Sequence, residues 1–396
     1  MTALPRLSQS PTDDAFVQDP YPFYARARMA GELVHWEEYD VTCAVSHSAV
    51  NAILRDRRFG REGLRPASVP ARLAPFYEIE AHSMLELDPP RHTRLRGLVT
   101  RAFSSARVAA LEPLIRATAQ RLVAELPDGE TDLLETFARP LPVLVIAHLI
   151  GVPGSDAPQL LAWSNAMVGM YQAGRTRDAE DAAVAASQAF SEYLSHVIAA
   201  RRANPRDDLL SALIAARDQD DRLSEAELRA TVILLLNAGH EATVHTIGNG
   251  VAAILQSGHQ QAAADPAKVA SLVEEVLRYD PPLHLFERVA LEDVEVAGHR
   301  IHRGTRVACL LASAGRDPAV FPNADRFDPN RAVPPHTAFG AGVHFCVGAP
   351  LARLELAIAF ETLFNTRAAL RLAGSAPRYA PIYHFHGLKE LLVAPA

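Results

Sequence analysis

Cysteine is scarce in this chain, because Cys43, Cys309 and Cys346 are its three cysteines among 396 residues. Their odd number and wide separation exclude a disulfide framework and fit a reducing cytosol. Long apolar runs are also missing, since the longest, Leu141–Val152 and Thr231–Leu236, are too short to span a bilayer. The N-terminal residues lack the apolar core of a signal peptide. The sequence therefore predicts a cytoplasmic protein without a membrane span.

An excess of positive charge is missing as well. Lys and Arg total 39 against 46 Asp and Glu, for a net charge of −7, which argues against nucleic acid as a partner.

The chain is long enough to bury a core that encloses a cofactor. No repeat or low-complexity linker interrupts it after a polar N-terminal arm, residues 1–18, so we expect one domain over residues 19–396.

The most informative stretch is Phe339–Arg353, FGAGVHFCVGAPLAR, which places Cys346 directly before a predicted helix. A proline suits the first turn of that helix, and a helix N-terminus stabilises a thiolate. Gly340, Gly342 and Gly348 permit positive φ or the close approach of a flat partner. Together these features indicate a haem whose iron takes an axial cysteine ligand.

Other roles for Cys346 fit less well. A buried thiol is the usual fate of a single cysteine, but these residue types coincide by chance only about once in a million. A structural zinc site needs four ligands, and no second cysteine lies nearby. A catalytic thiol needs a base and an oxyanion site, which nothing in the sequence specifies. Haem ligation is therefore the leading interpretation.

The loop resembles the haem-binding signature of the cytochrome P450 family, in its soluble bacterial branch. The resemblance runs from about Asp19 to the C-terminus and implies a mainly α fold, a helical domain with a small β-rich region. It implies haem b (iron protoporphyrin IX) as the cofactor and Cys346 as the axial ligand of its iron. Further contacts to the cofactor are implied for Phe339, Gly340, Gly348 and Ala238.

Periodicity predicts the elements around this loop. The pattern is helical from Pro90 to about Gln256, and a helix is expected over Tyr21–Ala30. Strands are expected over four short segments. These segments are Glu32–Trp36, Val41–Ser46, Val289–Val296 and Arg300–Ala308.

A long apolar helix is predicted to begin at a capping box formed by Ser224 and Glu227 and to run past Val251. Its middle contains the polar motif Ala238–Thr243, AGHEAT. A glycine costs about 1 kcal/mol in a helix, and a buried carboxylate costs more unless it is paired or hydrated. The motif therefore indicates a function.

This motif is similar to the oxygen-binding groove of the family, in which Gly239 and Glu241 keep their positions. The family usually places a threonine directly after the acid, where this chain has Ala242. The hydroxyl comes one residue later, at Thr243, about 100° further around the helix. We therefore hypothesise that Glu241, ordered water or a substrate hydroxyl supplies the protons.

The haem propionates require cationic or hydrogen-bonding partners, because an unpaired buried charge costs several kcal/mol. His92 and Arg96 stand four apart on one predicted helical face. Arg288 lies near the start of a predicted strand, and His344 precedes the ligand by two residues. All four occur in contexts that match the family.

Glu275 and Arg278 have the i, i+3 spacing of a helical ion pair. The resemblance identifies them as the E-x-x-R pair beneath the haem, which a later arginine completes. Arg326 is the best match for that third member. Such a buried network serves folding and haem loading, and breaking it should cost about 3–5 kcal/mol.

Family analogy also predicts which apolar residues meet the substrate. They come from the long helix, from the segment after Pro282 and from a turn near the C-terminus. These residues are Leu236, Leu283, Leu285, Phe286, Ile382 and Tyr383.

The resemblance implies a monooxygenase that inserts one atom of O2 into an apolar small molecule, by hydroxylation or epoxidation. No flavin or nicotinamide fingerprint is present, so electrons from NAD(P)H should arrive through a separate ferredoxin and an NAD(P)H-dependent ferredoxin reductase, with Arg353 among the contacts. One alternative is a peroxide-driven haem oxygenase, which Ala242 favours. The other is a haem-binding sensor or carrier without turnover.

Overall fold

The computed structural model describes residues 3–66, 68–172, 174–218, 221–332, 334–383 and 385–395. Helices dominate it, which confirms the predicted mainly α class. The α-helices are α1 (Asp14–Gln18), α2 (Tyr21–Ala30), α3 (His47–Arg55), α4 (Ala74–Glu80), α5 (Arg91–Ala102), α6 (Ser105–Ala109), α7 (Glu112–Ala124), α8 (Pro140–Ile150), α9 (Ala157–Val168), α10 (Arg177–Ala203), α11 (Leu209–Ala215), α12 (Glu225–Ser257), α13 (Gln260–Ala264), α14 (Val269–Tyr279), α15 (Leu311–Gly315) and α16 (Ala349–Thr366).

The strands are short. They are β1 (Arg6–Leu7), β2 (Leu33–Trp36), β3 (Val41–Ala44), β4 (Phe59–Gly60), β5 (Thr131–Asp132), β6 (Arg217–Asp218), β7 (Asp221–Arg222), β8 (Leu285–Ala290), β9 (Val294–Val296), β10 (His299–Ile301), β11 (Arg306–Leu310), β12 (Leu370–Leu372) and β13 (Leu392–Pro395).

The chain forms two compact units. The first comprises Met1–Leu64, Ala119–Arg139 and Ala242–Ala396, and the second comprises Arg65–Thr118 and Pro140–Glu241. Among the described residues, the first unit carries every strand except β6 and β7. The second unit is built almost entirely of helices.

The main sheet of the first unit has the strand order β1-β2-β3-β11-β8-β4. The predicted strand over Val289–Val296 is interrupted, because β8 ends at Ala290 and β9 leaves the sheet to pair with β10. The turn between β9 and β10 is Ala297-Gly298, with φ of 50° and 75°. Positive φ at both positions makes a tight two-residue hairpin. Strands β9 and β10 therefore form a two-stranded sheet of their own, whereas β8 belongs to the main sheet.

Both faces of this sheet are buried. Along β11, Val307 and Cys309 belong to one core cluster, whereas Ala308 and Leu310 belong to another. The alternation follows the two-residue period of a strand. Cys43 on the neighbouring β3 is likewise fully buried. Two of the three cysteines are therefore core side chains.

The N-terminal segment is part of the first unit, in contrast to the polar arm expected over residues 1–18. Strand β1 pairs with β2 in parallel, and α1 buries Phe16 and Val17. The Phe16 ring contacts those of Phe23, Trp36 and Tyr383, with centroids 5.7, 5.7 and 5.2 Å away. Two apolar residues in a short polar segment give no periodicity, so the sequence did not reveal this anchor.

Helix α12 begins as the capping box predicts. The Ser224 amide donates to Glu227 Oε2 at 2.9 Å, and the Glu227 amide donates to Ser224 Oγ at 3.2 Å. The helix runs past Val251, as predicted, and ends at Ser257. Across the part of the chain that the structure describes, none of the helices combines the length and apolarity that a membrane crossing requires.

Phe16→Ala should lower the free energy of unfolding by about 3–5 kcal/mol, because it leaves a cavity in a packed aromatic cluster. Met29→Ala is the control, since Met29 is 88% exposed and its truncation should change stability by no more than about 0.5 kcal/mol. Chemical denaturation of the holoprotein measures both values. Equal stability of the two variants would show that Phe16 does not anchor the N-terminal segment to the first unit.

Candidate functional site

The cysteine loop lies in the first unit, directly before α16. The Cys346 amide donates to the Phe339 carbonyl at 3.0 Å, and α16 begins three residues later at Ala349. Gly340 and Gly342 have φ of 68° and 69°. A Cβ on Gly342 would collide with the carbonyl oxygen of Leu54. The backbone therefore requires glycine at this turn, for conformation and for space.

The three thiols differ in what they can bind. Burial raises the pKa of Cys309 to about 12 and also raises that of Cys43 well above its ordinary value. Cys346 is only partly buried, and it precedes a helix N-terminus, which favours negative charge. A Cβ on Gly348 would lie 3.8 Å from Cys346 Sγ, so this glycine keeps the sulfur clear of side-chain contact on that side. The donor chemistry fits a thiolate ligand of haem iron at Cys346.

Two of the predicted propionate partners lie in the first unit. Arg288 on β8 is 3% exposed, and its guanidinium donates to the Glu287 carbonyl at 2.8 Å. His344 is partly buried in a short turn, Gly342–His344, that precedes Cys346. A buried guanidinium requires anionic or polar partners, so the chemistry of Arg288 also fits a haem carboxylate.

The other two predicted partners, His92 and Arg96, lie on α5 in the second unit. Their spacing puts both on one face of the helix, and His92 is 2% exposed. Their role toward a propionate remains a prediction.

The AGHEAT motif occupies the middle of α12. A Cβ on Gly239 would lie 3.3 Å from Cδ1 of Ile146 on α8, so close helix packing alone gives a reason for the glycine. His240 Nδ1 donates to the Leu236 carbonyl at 2.8 Å. His240 Nε2 lies 3.4 Å from Glu241 Oε2, and the Glu241 side chain is 21% exposed. Ala238 precedes this cluster on the same helix.

The side chains of Ala242 and Thr243 point in different directions from α12. Helix α12 is continuous through the motif, so Thr243 points about 100° away from Ala242. Thr243 is 6% exposed. The Ala242 carbonyl accepts a hydrogen bond of 2.7 Å from Thr246 Oγ1. Thr243 therefore cannot replace the missing hydroxyl at position 242 without a change in the helix.

The structure brings Glu275 and Arg278 together as a fully buried ion pair. Arg278 Nε and Nη2 each donate to a Glu275 carboxylate oxygen at 2.7 Å, and both side chains are 0% exposed. The remaining Arg278 donors reach the carbonyls of Gly315 at 2.9 Å, Ala324 at 2.8 Å and Arg326 at 3.2 Å. The pair thereby fixes the irregular segment that follows α15.

The prediction that Arg326 completes this pair is wrong. Its side chain is exposed, and only its carbonyl oxygen faces Arg278. The third member is Arg331, whose Nε lies 3.4 Å from Glu275 Oε1 and whose side chain is 10% exposed. Phe327 is buried next to Arg326, and the guanidinium of Arg326 points outward, whereas its carbonyl points inward. No local pattern distinguishes these two arginines.

Sequence reasoning missed a second acid beside this pair. Glu274 accepts hydrogen bonds from Arg353 Nε at 2.6 Å and Nη2 at 3.0 Å. His336 Nδ1 accepts from the Ala338 amide at 3.2 Å, so its Nε2–H donates to Glu274 at 3.2 Å. Partial burial acts to raise the pKa of Glu274, but the bonds from His336 and Arg353 outweigh it and lower the pKa to about 2. Arg353 makes these bonds with its side chain 38% exposed, and its expected contact with a redox partner remains a prediction.

Two of the predicted substrate contacts are core residues. Tyr383 is 7% exposed, and its hydroxyl lies 2.8 Å from that of Tyr24, which contacts His284 Nδ1 at 2.7 Å. Leu236 is 2% exposed on α12. Both side chains are buried in this structure, and their contact with a substrate remains a prediction.

The other predicted substrate contacts keep accessible apolar surface. Leu283 and Phe286 pack partly against one core cluster, and Leu285 packs partly against the aromatic cluster that includes Tyr383. Ile382 is half-buried. These four residues remain candidates for contact with a ligand.

A family model of cytochrome P450 matches residues 146–265 and 269–366. The chain belongs to the cytochrome P450 family, and it is a haem b monooxygenase of that family.

The chain is 41% identical to the cytochrome P450 monooxygenase PikC of Streptomyces venezuelae over 391 residues, which cover 95% of this chain and 91% of PikC. It is 41% identical to the mycinamicin IV hydroxylase/epoxidase of Micromonospora griseorubida over 330 residues, with 82% and 81% of the two chains covered. The crystal structure of P450BioI in complex with hexadec-9Z-enoic acid-ligated acyl carrier protein is similar at a TM-score of 0.91 and 34% identity. That match covers 97% of this chain and 99% of P450BioI.

Arg331→Ala should reduce the yield of haem-loaded protein and lower the free energy of unfolding by about 3 kcal/mol, because it removes a partner of the buried Glu275 carboxylate. Arg326→Ala is the matched control and should behave like the wild type. The haem-to-protein absorbance ratio and denaturant unfolding measure the two effects. If Arg326→Ala lost more haem and more stability than Arg331→Ala, Arg326 would be the third member of the ion-pair network.

Proposed function

We propose that this monooxygenase inserts one oxygen atom into an apolar small molecule, by hydroxylation or epoxidation, at a haem held by Cys346. When bound there, the haem would supply the activation of O2, and the Cys346 thiolate would donate electron density to its iron. One observation carries the proposal: Cys346 is the partly exposed thiol, set by glycine turns directly before α16. The name of the mycinamicin IV hydroxylase/epoxidase supports the two reaction types.

The residues that hold the haem follow from the same proposal. The proposed partners of the haem propionates are His344, Arg288, His92 and Arg96. Arg288 and His92 are both buried, and the residue types match the charge and hydrogen-bonding needs of a carboxylate. The remaining contacts of the haem come from four small or aromatic residues. These are Phe339, Gly340, Gly348 and Ala238.

Apolar side chains of the first unit select the substrate. Leu283, Leu285, Phe286 and Ile382 are half-buried, so a ligand that covers them gains about 25 cal/mol for each Å² of apolar surface removed from water. This gain favours an apolar small molecule.

Electrons come from NAD(P)H through a separate ferredoxin and a ferredoxin reductase. The given sequence carries no flavin or nicotinamide fingerprint, which supports a separate source of electrons. The reaction takes place in the cytoplasm. Cys43 and Cys309 lie on neighbouring strands as free thiols, which suits a reducing compartment.

Proton delivery depends on Glu241 together with water or a substrate hydroxyl, and not on Thr243. Ala242 cannot donate a proton, and Thr243 is turned away from its position on α12. Glu241 is the accessible acid of the motif. The same alanine favours peroxide as an alternative oxidant. Product formation from hydrogen peroxide at the rate of the electron-driven reaction would support that second function.

Cys346→Ala should abolish the thiolate-type Soret band of the ferrous carbon monoxide complex, because the variant has no sulfur ligand at this loop. Cys309→Ala is the matched control and should keep the band, since Cys309 is a buried core thiol. A thiolate-type band that survives in Cys346→Ala would contradict the ligand assignment.

The same measurements distinguish an enzyme from a haem carrier. If the wild type shows the band but neither consumes NAD(P)H nor changes spin state when ligands are added, the protein is a haem carrier.

Thr243→Ala should leave the ratio of product to hydrogen peroxide unchanged, and Ala242→Thr should raise it by restoring a hydroxyl after the acid. Glu241→Gln should lower the rate of product formation by about 10²-fold, the lower range for the loss of an acid–base group. The measurement is product and peroxide formed per NAD(P)H consumed with surrogate redox partners. Diversion of most electrons to peroxide in Thr243→Ala would identify Thr243 as the proton donor.

A further inference from the structure

One carboxylate contacts the chain on both sides of the ligand loop. Glu274 on α14 accepts from His336, which precedes Cys346, and from Arg353, which follows it. We call the contacts of Glu274 with His336 and Arg353 the carboxylate clamp. Fixing two ends of a segment to one point removes much of the conformational freedom of the chain between them.

We propose that Glu274 is a positioning residue that holds the Cys346 loop in the geometry required for thiolate ligation. The proposal rests on the proposed role of Cys346 as the haem ligand.

A short chain of contacts leads from the clamp to the ligand. The Arg353 guanidinium carbon lies 4.7 Å from the centre of the Phe339 ring. The Phe339 carbonyl accepts the hydrogen bond from the Cys346 amide. The Phe339 ring also contacts that of Phe345, which directly precedes the cysteine, with centroids 6.3 Å apart. A shift of Arg353 is therefore transmitted to the residues that orient the sulfur.

Adjacent acids on α14 have different partners. Glu275 is fully buried and binds Arg278, Arg331 and the Asp328 amide. His336 and Arg353, which bind Glu274, flank the ligand loop on either side, and the Glu274 side chain is 31% exposed. Loss of Glu275 should therefore affect folding, whereas loss of Glu274 should affect the stability of the iron–sulfur bond in protein that still folds.

The alternative is an ordinary exposed ion pair, which contributes little to stability. The clamp differs because Arg353 binds in the bidentate geometry and an imidazole N–H of His336 adds a further bond to the same carboxylate. These bonds keep the carboxylate ionised, with the pKa lowered to about 2. The pair Asp293–Arg300 on the β9–β10 hairpin, at 2.7 Å, provides an exposed comparison outside the loop.

The test measures how fast the thiolate-type band of the ferrous carbon monoxide complex is lost in mild denaturant. Glu274→Gln holoenzyme should lose it about fivefold faster than wild type, the factor that corresponds to about 1 kcal/mol. Arg353→Gln should have a similar effect, and the double variant should be no faster than either single variant. Arg353→Lys keeps the charge without the bidentate geometry and should give an intermediate rate. Asp293→Asn, the control, should match wild type.

Three results would overturn the proposal. The first is a rate for Glu274→Gln and Arg353→Gln equal to that of Asp293→Asn. The second is additive effects in the double variant. The third is an unchanged thiolate-type band with haem loading reduced in proportion to overall stability, which would make Glu274 a folding residue like Glu275. A wild type without the band would instead overturn the ligand assignment of Cys346.

Discussion

The buried ion pair between Glu275 and Arg278 is the interaction on which the site depends. Two charges at 0% exposure are tolerable only if every donor and acceptor finds a partner. Arg278 meets this demand by donating to the carbonyls of Gly315, Ala324 and Arg326. A long irregular segment thereby acquires one conformation without regular secondary structure. That segment leads directly into the cysteine loop, so the ion pair determines where the loop begins.

Helix α14 therefore supports the loop through two successive acids. Glu275 orders the segment before it, and Glu274 contacts residues on both sides of Cys346. The glycines complete the geometry, because the turn at Gly342 leaves no space for a side chain beside Leu54. A partly exposed thiol before a helix N-terminus results, whereas the other two thiols are core side chains. Placement therefore distinguishes Cys346 from the other two cysteines.

The long helix α12 limits which side chains could take part in the proposed proton delivery. Each residue of a continuous α-helix turns the side-chain direction by about 100°, so an alcohol displaced from position 242 to Thr243 faces another way. Gly239 allows α8 to approach through Ile146, which shows that one residue of a functional motif can also be a packing residue. His240 contacts Glu241 and makes the acid part of a polar group. Chemistry and packing thus share the same helical turn.

The sequence alone determined the features that depend on neighbouring residues: the mainly α class, the capping box of α12, the glycine-flanked cysteine and the i, i+3 spacing of Glu275. Their signals are local, because caps, turns and helical faces repeat within a few residues. Only the tertiary structure decided which arginine reaches Glu275, that Tyr383 bonds to Tyr24 in the core, and that Glu274 joins residues on both sides of the ligand. Those partners lie far apart along the chain, and several arginines or tyrosines would satisfy the same pattern. The burial and the direction of each side chain decide which arginine or tyrosine makes the contact, and both depend on the packing of the whole unit.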